Sequence, residues 1–194
     1  MAVLVDDGVV MDFADLVDGV GELEAPVLGS LPEAREGRLI VMVGATPQQF
    51  EAHRELLRCF GPNPARLGEV GQAAALKLAF NQLIASLSVG FAYSLALVQG
   101  AGVDVECFME LLRGSALYAP TFDKKLSRTL DGDFANPNFP LKHLLKDVSL
   151  FRRVAEEAGM DTAMITTVEA ACIRAIGQGY GDQDYSALYE AMVP

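Results

Sequence analysis

Half of the 194 residues are apolar, and 26 acidic against 15 basic residues give a formal charge of -11, so the chain can bury a core and repels phosphate backbones and anionic headgroups. Its basic residues gather only in two small groups, Lys124, Lys125 and Arg128, then Arg152 and Arg153, which argues against nucleic-acid binding. Cys59, Cys107 and Cys172 are odd in number and far apart, and only His53 and His143 could add imidazole, which argues against a disulfide framework, a metal site and a histidine-dependent triad.

Residues 1–20 interleave apolar residues with Asp6, Asp7, Asp12, Asp15 and Asp18, so no secretory signal is expected and the cytoplasm is the expected compartment. Two short apolar runs, Ala25-Pro26-Val27-Leu28-Gly29 and Leu39-Ile40-Val41-Met42-Val43-Gly44, predict strands of a cofactor-type sheet. Thr46 followed by Pro47 predicts the capped start of a helix running to about Cys59, with Glu51, Arg54 and Glu55 on its exposed face. Gly61-Pro62-Asn63-Pro64 breaks the chain.

After Gly71 the sequence reads as helical, with loops at 100–104, 114–120, 131–140 and 159–162. The expected fold class is therefore mostly α: a partial Rossmann-type α/β unit over 1–66, followed by an all-helical domain over 67–194. Residues 78–103 hold no charge, long enough for a bilayer span, but Asn81, Gln82, Ser86, Ser88, Ser94 and Gln99 recur through them. A helix apolar nearly all round is also a central helix of a large domain or of a dimer core, and that reading, without a membrane, is preferred.

Lys77 is the only charge between Glu69 and Asp104, and Asn81 follows it four positions later, on the same helical face. Loss of hydration on an apolar helix favours the neutral amine and suits a lysine to proton exchange, with Asn81 placed to orient a substrate oxygen. A lysine that snorkels to water from the first turn is the alternative.

The run Gly68-Glu69-Val70-Gly71-Gln72-Ala73-Ala74-Ala75-Leu76-Lys77, continued by Leu78-Ala79-Phe80-Asn81, resembles the catalytic helix of the β-hydroxyacid dehydrogenases, the 3-hydroxyisobutyrate dehydrogenase family of the 6-phosphogluconate dehydrogenase-like superfamily. Glu24-Ala25-Pro26-Val27-Leu28-Gly29-Ser30 is similar to that family's substrate loop, and Phe139-Pro140-Leu141-Lys142-His143-Leu144-Leu145-Lys146-Asp147 to its Phe…Lys-Asp motif. The stretch 179–188, with Asp184-Tyr185-Ser186-Ala187, is similar to its C-terminal glycine turn and Asp-x-Ser-Ala helix.

The resemblance implies an NAD- or NADP-dependent, reversible oxidation of a small 3-hydroxy acid to its semialdehyde. It implies Lys77 as general acid/base, Asn81 orienting the same oxygen, and backbone donors around Gly29 and Ser30 holding the substrate carboxylate. Lys146 would reach the cofactor and close the interdomain cleft, and Asp147 would fix that segment. A homodimer is expected, and no metal.

The sequence departs from the pattern in five places. No Gly-x-Gly-x-x-Gly turn occurs, so an N-terminally truncated cofactor domain and little turnover by this polypeptide alone are expected. Asp7-Gly8-Val9-Val10-Met11-Asp12-Phe13-Ala14-Asp15 resembles a later strand of that domain, but Ala14 and Asp15 replace its Ser-Thr pair, and 16–22 leaves room for only a turn or two of helix. Ala73 replaces a glycine near the start of the catalytic helix, and Leu28 replaces a serine of the substrate loop, which removes a hydroxyl donor and suggests a less polar substrate, or none. A non-catalytic helical dimerisation or ligand-binding module of the same ancestry stands as the alternative.

Overall fold

The computed structural model describes residues 23–193, so the stretches 7–15 and 16–22 lie outside the described residues. The chain divides into two compact units, Met1–Phe80 and Asn81–Pro194. The division falls inside a single long helix, whereas the sequence places the change of character earlier, between residues 61 and 71, where the last strand gives way to that helix.

In the first unit, β1 (Val27–Leu28) pairs antiparallel with β2 (Ile40–Gly44), which pairs parallel with β3 (Ala65–Gly68). A parallel pair needs a crossover, and α2 (Pro47–Arg58) supplies it. This helix begins where the sequence predicts: the Thr46 hydroxyl accepts from the Gln49 N–H at 3.3 Å, and the Gln49 carboxamide oxygen accepts from the Thr46 N–H at 2.9 Å. Val41, Val43, Ala45, Phe50 and Leu57 close the small core between sheet and helix.

Two elements were not foreseen. Helix α1 (Leu31–Arg35) is too short to show a period, and β3 pairs through its backbone while its side chains remain largely outside the core.

The N-terminus of α3 (Gln72–Gly100) is held by a carboxylate from the same unit. Oε1 of Glu24 accepts the N–H groups of Gly71 at 2.7 Å, Ala73 at 2.8 Å and Ala74 at 3.2 Å.

The second unit packs α4 (Val105–Arg113), α5 (Pro120–Asp131), α6 (Leu141–Glu157) and α7 (Ala163–Ala175) with the later turns of α3, and the four loops fall where the sequence places them. Ala85 and Val89 of α3 meet Leu141, Leu144 and Val148 of α6 and Val168, Ala171 and Cys172 of α7 in the main core. A satellite core stacks Phe91 on Phe122 at 4.6 Å between ring centres, beside Leu95 and Met109.

Within one copy of the chain, burial along α3 is one-sided. Asn81, Ala85, Val89, Ala92 and Leu95 form a buried stripe at helical spacing, while Leu83, Leu87, Tyr93 and Leu97 are exposed. Among the described residues, α3 is the one helix long and apolar enough to cross a membrane, and 28% of its most apolar window is buried inside the molecule.

A π-helical turn (Ile176–Tyr180) broken by Gly179 at φ 98° leads into a final 3-10 helix (Tyr185–Ala191). The link between the two, 181–184, serves α6, whose first N–H groups lack intrahelical acceptors: Leu141 donates to the Gln183 carbonyl at 2.8 Å and Lys142 to the Gly181 carbonyl at 2.9 Å. The two sequence motifs at 139–147 and 179–188 are thus one structural unit.

Candidate functional site

Lys77 and Asn81 lie one turn apart on α3, Lys77 half-buried and Asn81 buried. The fold brings a second foreseen residue to Asn81. The Asn81 Nδ2 donates to the Asp147 carboxylate at 2.7 Å, linking α3 to α6 across 66 positions of sequence. Asp147 is 13% exposed and Lys146 43% exposed, and the Lys146 ammonium lies 3.6 Å from the other Asp147 oxygen. That separation is an ion pair but exceeds a hydrogen bond, so the Lys146 amine keeps capacity to donate elsewhere.

The structure gives Asp147 a sharper task than fixing its own segment. A carboxylate can only accept, so it turns the Asn81 carboxamide with nitrogen inward and fixes which way the remaining carbonyl oxygen faces. The sequence held both residues but no sign that they meet.

In the first unit, Gly29 stands at φ 140°, and a Cβ there would lie 2.6 Å from a Leu39 methyl and 3.1 Å from the Glu33 Cβ, so only glycine fits. Ser30 is less available than the sequence suggests. Its N–H and its hydroxyl both donate to one Glu33 carboxylate oxygen at 2.8 Å, so a substrate carboxylate would have to displace Glu33 to use them. The Ser-x-x-Glu spacing over 30–33 carried this signal.

The helix starts that follow β2 and β3 are already capped from within, α2 by Thr46 and Gln49 and α3 by Glu24. Neither of those two helix starts is open to a pyrophosphate.

Among the described residues no group of three or more His, Cys, Asp or Glu side chains could hold a metal ion. Burial pushes the Cys172 thiol up to about 12, with the Glu169 carboxylate adding to the shift, so it is a core side chain and not a nucleophile.

Over residues 71–192 the chain matches the family described as the NAD-binding domain of NADP-dependent 3-hydroxyisobutyrate dehydrogenase, and over 17–70 the NAD binding domain of 6-phosphogluconate dehydrogenase. It is 32% identical over 170 residues to glyoxylate/succinic semialdehyde reductase 2, chloroplastic, of Arabidopsis thaliana, covering 88% of this chain and 47% of that protein. It is 28% identical over 191 residues to the cytokine-like nuclear factor N-PAC of Homo sapiens, covering 97% of this chain and 34% of that protein.

A 3-hydroxyisobutyrate dehydrogenase from Salmonella typhimurium shares the fold at a TM-score of 0.78 and 23% identity, over 87% of this chain and 59% of that one. The chain spans about half the length of the first curated relatives it matches, 47% and 58%. The family match over 71–192 takes in the Lys77 and Asn81 helix, the Lys146-Asp147 pair and the glycine turn that holds α6, and the chain belongs to the β-hydroxyacid dehydrogenase family of the 3-hydroxyisobutyrate dehydrogenase type.

Proposed function

We propose that this chain carries the acid/base half of an NAD- or NADP-dependent oxidoreductase that interconverts a small 3-hydroxy acid and its semialdehyde. The observation that carries the reading is the buried Asn81–Asp147 hydrogen bond, with Lys77 four residues before Asn81 as the one charge on α3. In the reducing direction the Lys77 ammonium polarises the carbonyl oxygen and gives it a proton; in the reverse direction the neutral amine takes the hydroxyl proton. The bound nicotinamide would supply or accept the hydride.

Asn81 orients the substrate oxygen, and Gly29 and Ser30 receive the carboxylate once Glu33 turns away. Lys146 contributes the cation for the cofactor. We also infer a homodimer formed through the exposed Leu83, Leu87 and Leu97 face of α3, with no role for nucleic acid or membrane, and a cytoplasmic setting suited to three free thiols.

The test combines calorimetric titration with NADH and NADPH and nicotinamide absorbance with small semialdehydes and 3-hydroxy acids. Lys77→Ala is expected to lower kcat about a hundredfold or more while cofactor affinity holds. Lys146→Ala should weaken cofactor binding. Turnover that survives Lys77→Ala would refute the acid/base assignment, and neither binding nor turnover would point to a cofactor half without its phosphate-binding turn or to the non-catalytic helical module.

A further inference from the structure

We propose that Glu24 is the positioning residue for Lys77, tying the start of the 24–30 loop to the first turn of α3; the inference rests on the reading of Lys77 as the acid/base group.

The first N–H groups of a helix have no acceptors within it and concentrate the positive end of the helix dipole. Here one oxygen collects three of them, from Gly71, Ala73 and Ala74. Bonds to a carboxylate are about twice as strong as those between neutral groups, so the anchor is stiff. The other end of Glu24 is equally fixed, its N–H donating to the Gly44 carbonyl at 3.0 Å and its carbonyl accepting from the Gly44 N–H at 2.9 Å.

Two glycines make the reach possible. A Cβ on Gly44 would lie 2.7 Å from the Glu24 Cγ and 2.8 Å from its Cδ, so β2 must end in glycine for the side chain to pass. Gly71 adopts φ 103°, open to glycine but not to most side chains, and in that conformation its N–H meets the carboxylate. One side chain thus joins the sheet edge, the loop that continues to Gly29 and Ser30, and the helix turn that leads into Lys77. Because α3 is one helix, fixing its first turn fixes the height and rotation at which the lysine leaves it.

The test reads Lys77 directly. Lysine amines are reductively methylated with a carbon-13 label in the wild type, Glu24→Ala, Glu24→Gln and Gly44→Ala, and the Lys77 signal is assigned by its loss in Lys77→Arg. Glu24→Ala and Gly44→Ala should shift the Lys77 resonance and speed amide exchange at Ala73 and Ala74 about tenfold, with the Lys124 and Lys125 resonances unmoved. Glu24→Gln keeps an acceptor oxygen and should fall between wild type and Glu24→Ala.

An unmoved Lys77 resonance in Glu24→Ala, or equal shifts of every lysine, overturns the proposal. In turnover, Glu24→Ala should lower kcat about tenfold with the cofactor KM nearly constant. An unchanged kcat beside a dead Lys77→Ala enzyme would reduce Glu24 to a structural cap. A Lys77→Ala enzyme that still turns over would remove the acid/base reading and leave the positioning measurement standing.

Discussion

Truncating Asp147 to alanine leaves the Asn81 Nδ2 facing a gap at a site where Asn81 is 7% exposed and water replaces the lost acceptor poorly. A bond to a charged group of 2.7 Å contributes about 1.5–3 kcal/mol. The Lys146 ion pair adds little, because at 3.6 Å and with that lysine 43% exposed, solvent screening keeps it below about 1 kcal/mol. Asp147→Ala alone should therefore cost about 2–3 kcal/mol. The stricter measurement is a double-mutant cycle with Asn81→Ala, expected to return a coupling of about 1.5 kcal/mol or more.

Urea unfolding followed by tyrosine fluorescence suits it, since Tyr93, Tyr118, Tyr180, Tyr185 and Tyr189 all lie in the second unit and report on that unit alone. A coupling under about 0.5 kcal/mol would mean that the two side chains do not hold each other, and the fixed carboxamide would fall with it.

Lys125→Ala should be more damaging than Lys124→Ala, by about 3 kcal/mol in the same unfolding assay, because it strands Asp184, which is wholly buried and takes Lys125 at 2.8 Å. Equal costs for the two lysines would contradict the buried pair. The Arg113 guanidinium, through its hydrogen bonds, and then the Tyr118 hydroxyl hold the Asp123 carboxyl below its usual range. A lowered folded-state value means that this contribution is present above the ordinary carboxyl range and is lost as pH falls through the depressed titration point. Carboxyl carbon NMR of Arg113→Ala should show Asp123 titrating nearer its ordinary range, and an unchanged titration would exclude the arginine as the cause.

The helical half was legible because its punctuation is chemical: Asp104 caps α4, Pro120 opens α5, and Gly132 at φ 65° closes it. The first unit was legible only where apolar runs or caps were dense. The Ala65–Gly68 strand is specified by its partner β2 and not by its own side chains, and α1 is set by one capping box over residues 30–33. The site divided the same way. The local pair, Lys77 and Asn81, follows from helical spacing, whereas the meeting of Asn81 with Asp147 depends on how α3 and α6 pack and has no counterpart in local sequence. Composition was least informative on α3: its uncharged run conceals a buried stripe and an exposed face of leucines that differ in surroundings and not in residue type.

The service that the glycine turn performs for α6 sets an order on biosynthesis. Until Gly181 and Gln183 have left the ribosome, the first N–H groups of α6 have no carbonyls to meet, and until Asp184 follows them the Lys125 ammonium lacks its buried counterion. Asn81 and Asp147 are translated before that point, yet the start of the helix that carries Asp147 is capped only when residues 181–183 arrive. A nascent chain stalled short of residue 181 should therefore hold the first turn of α6 without those acceptors, open to chaperones and proteases.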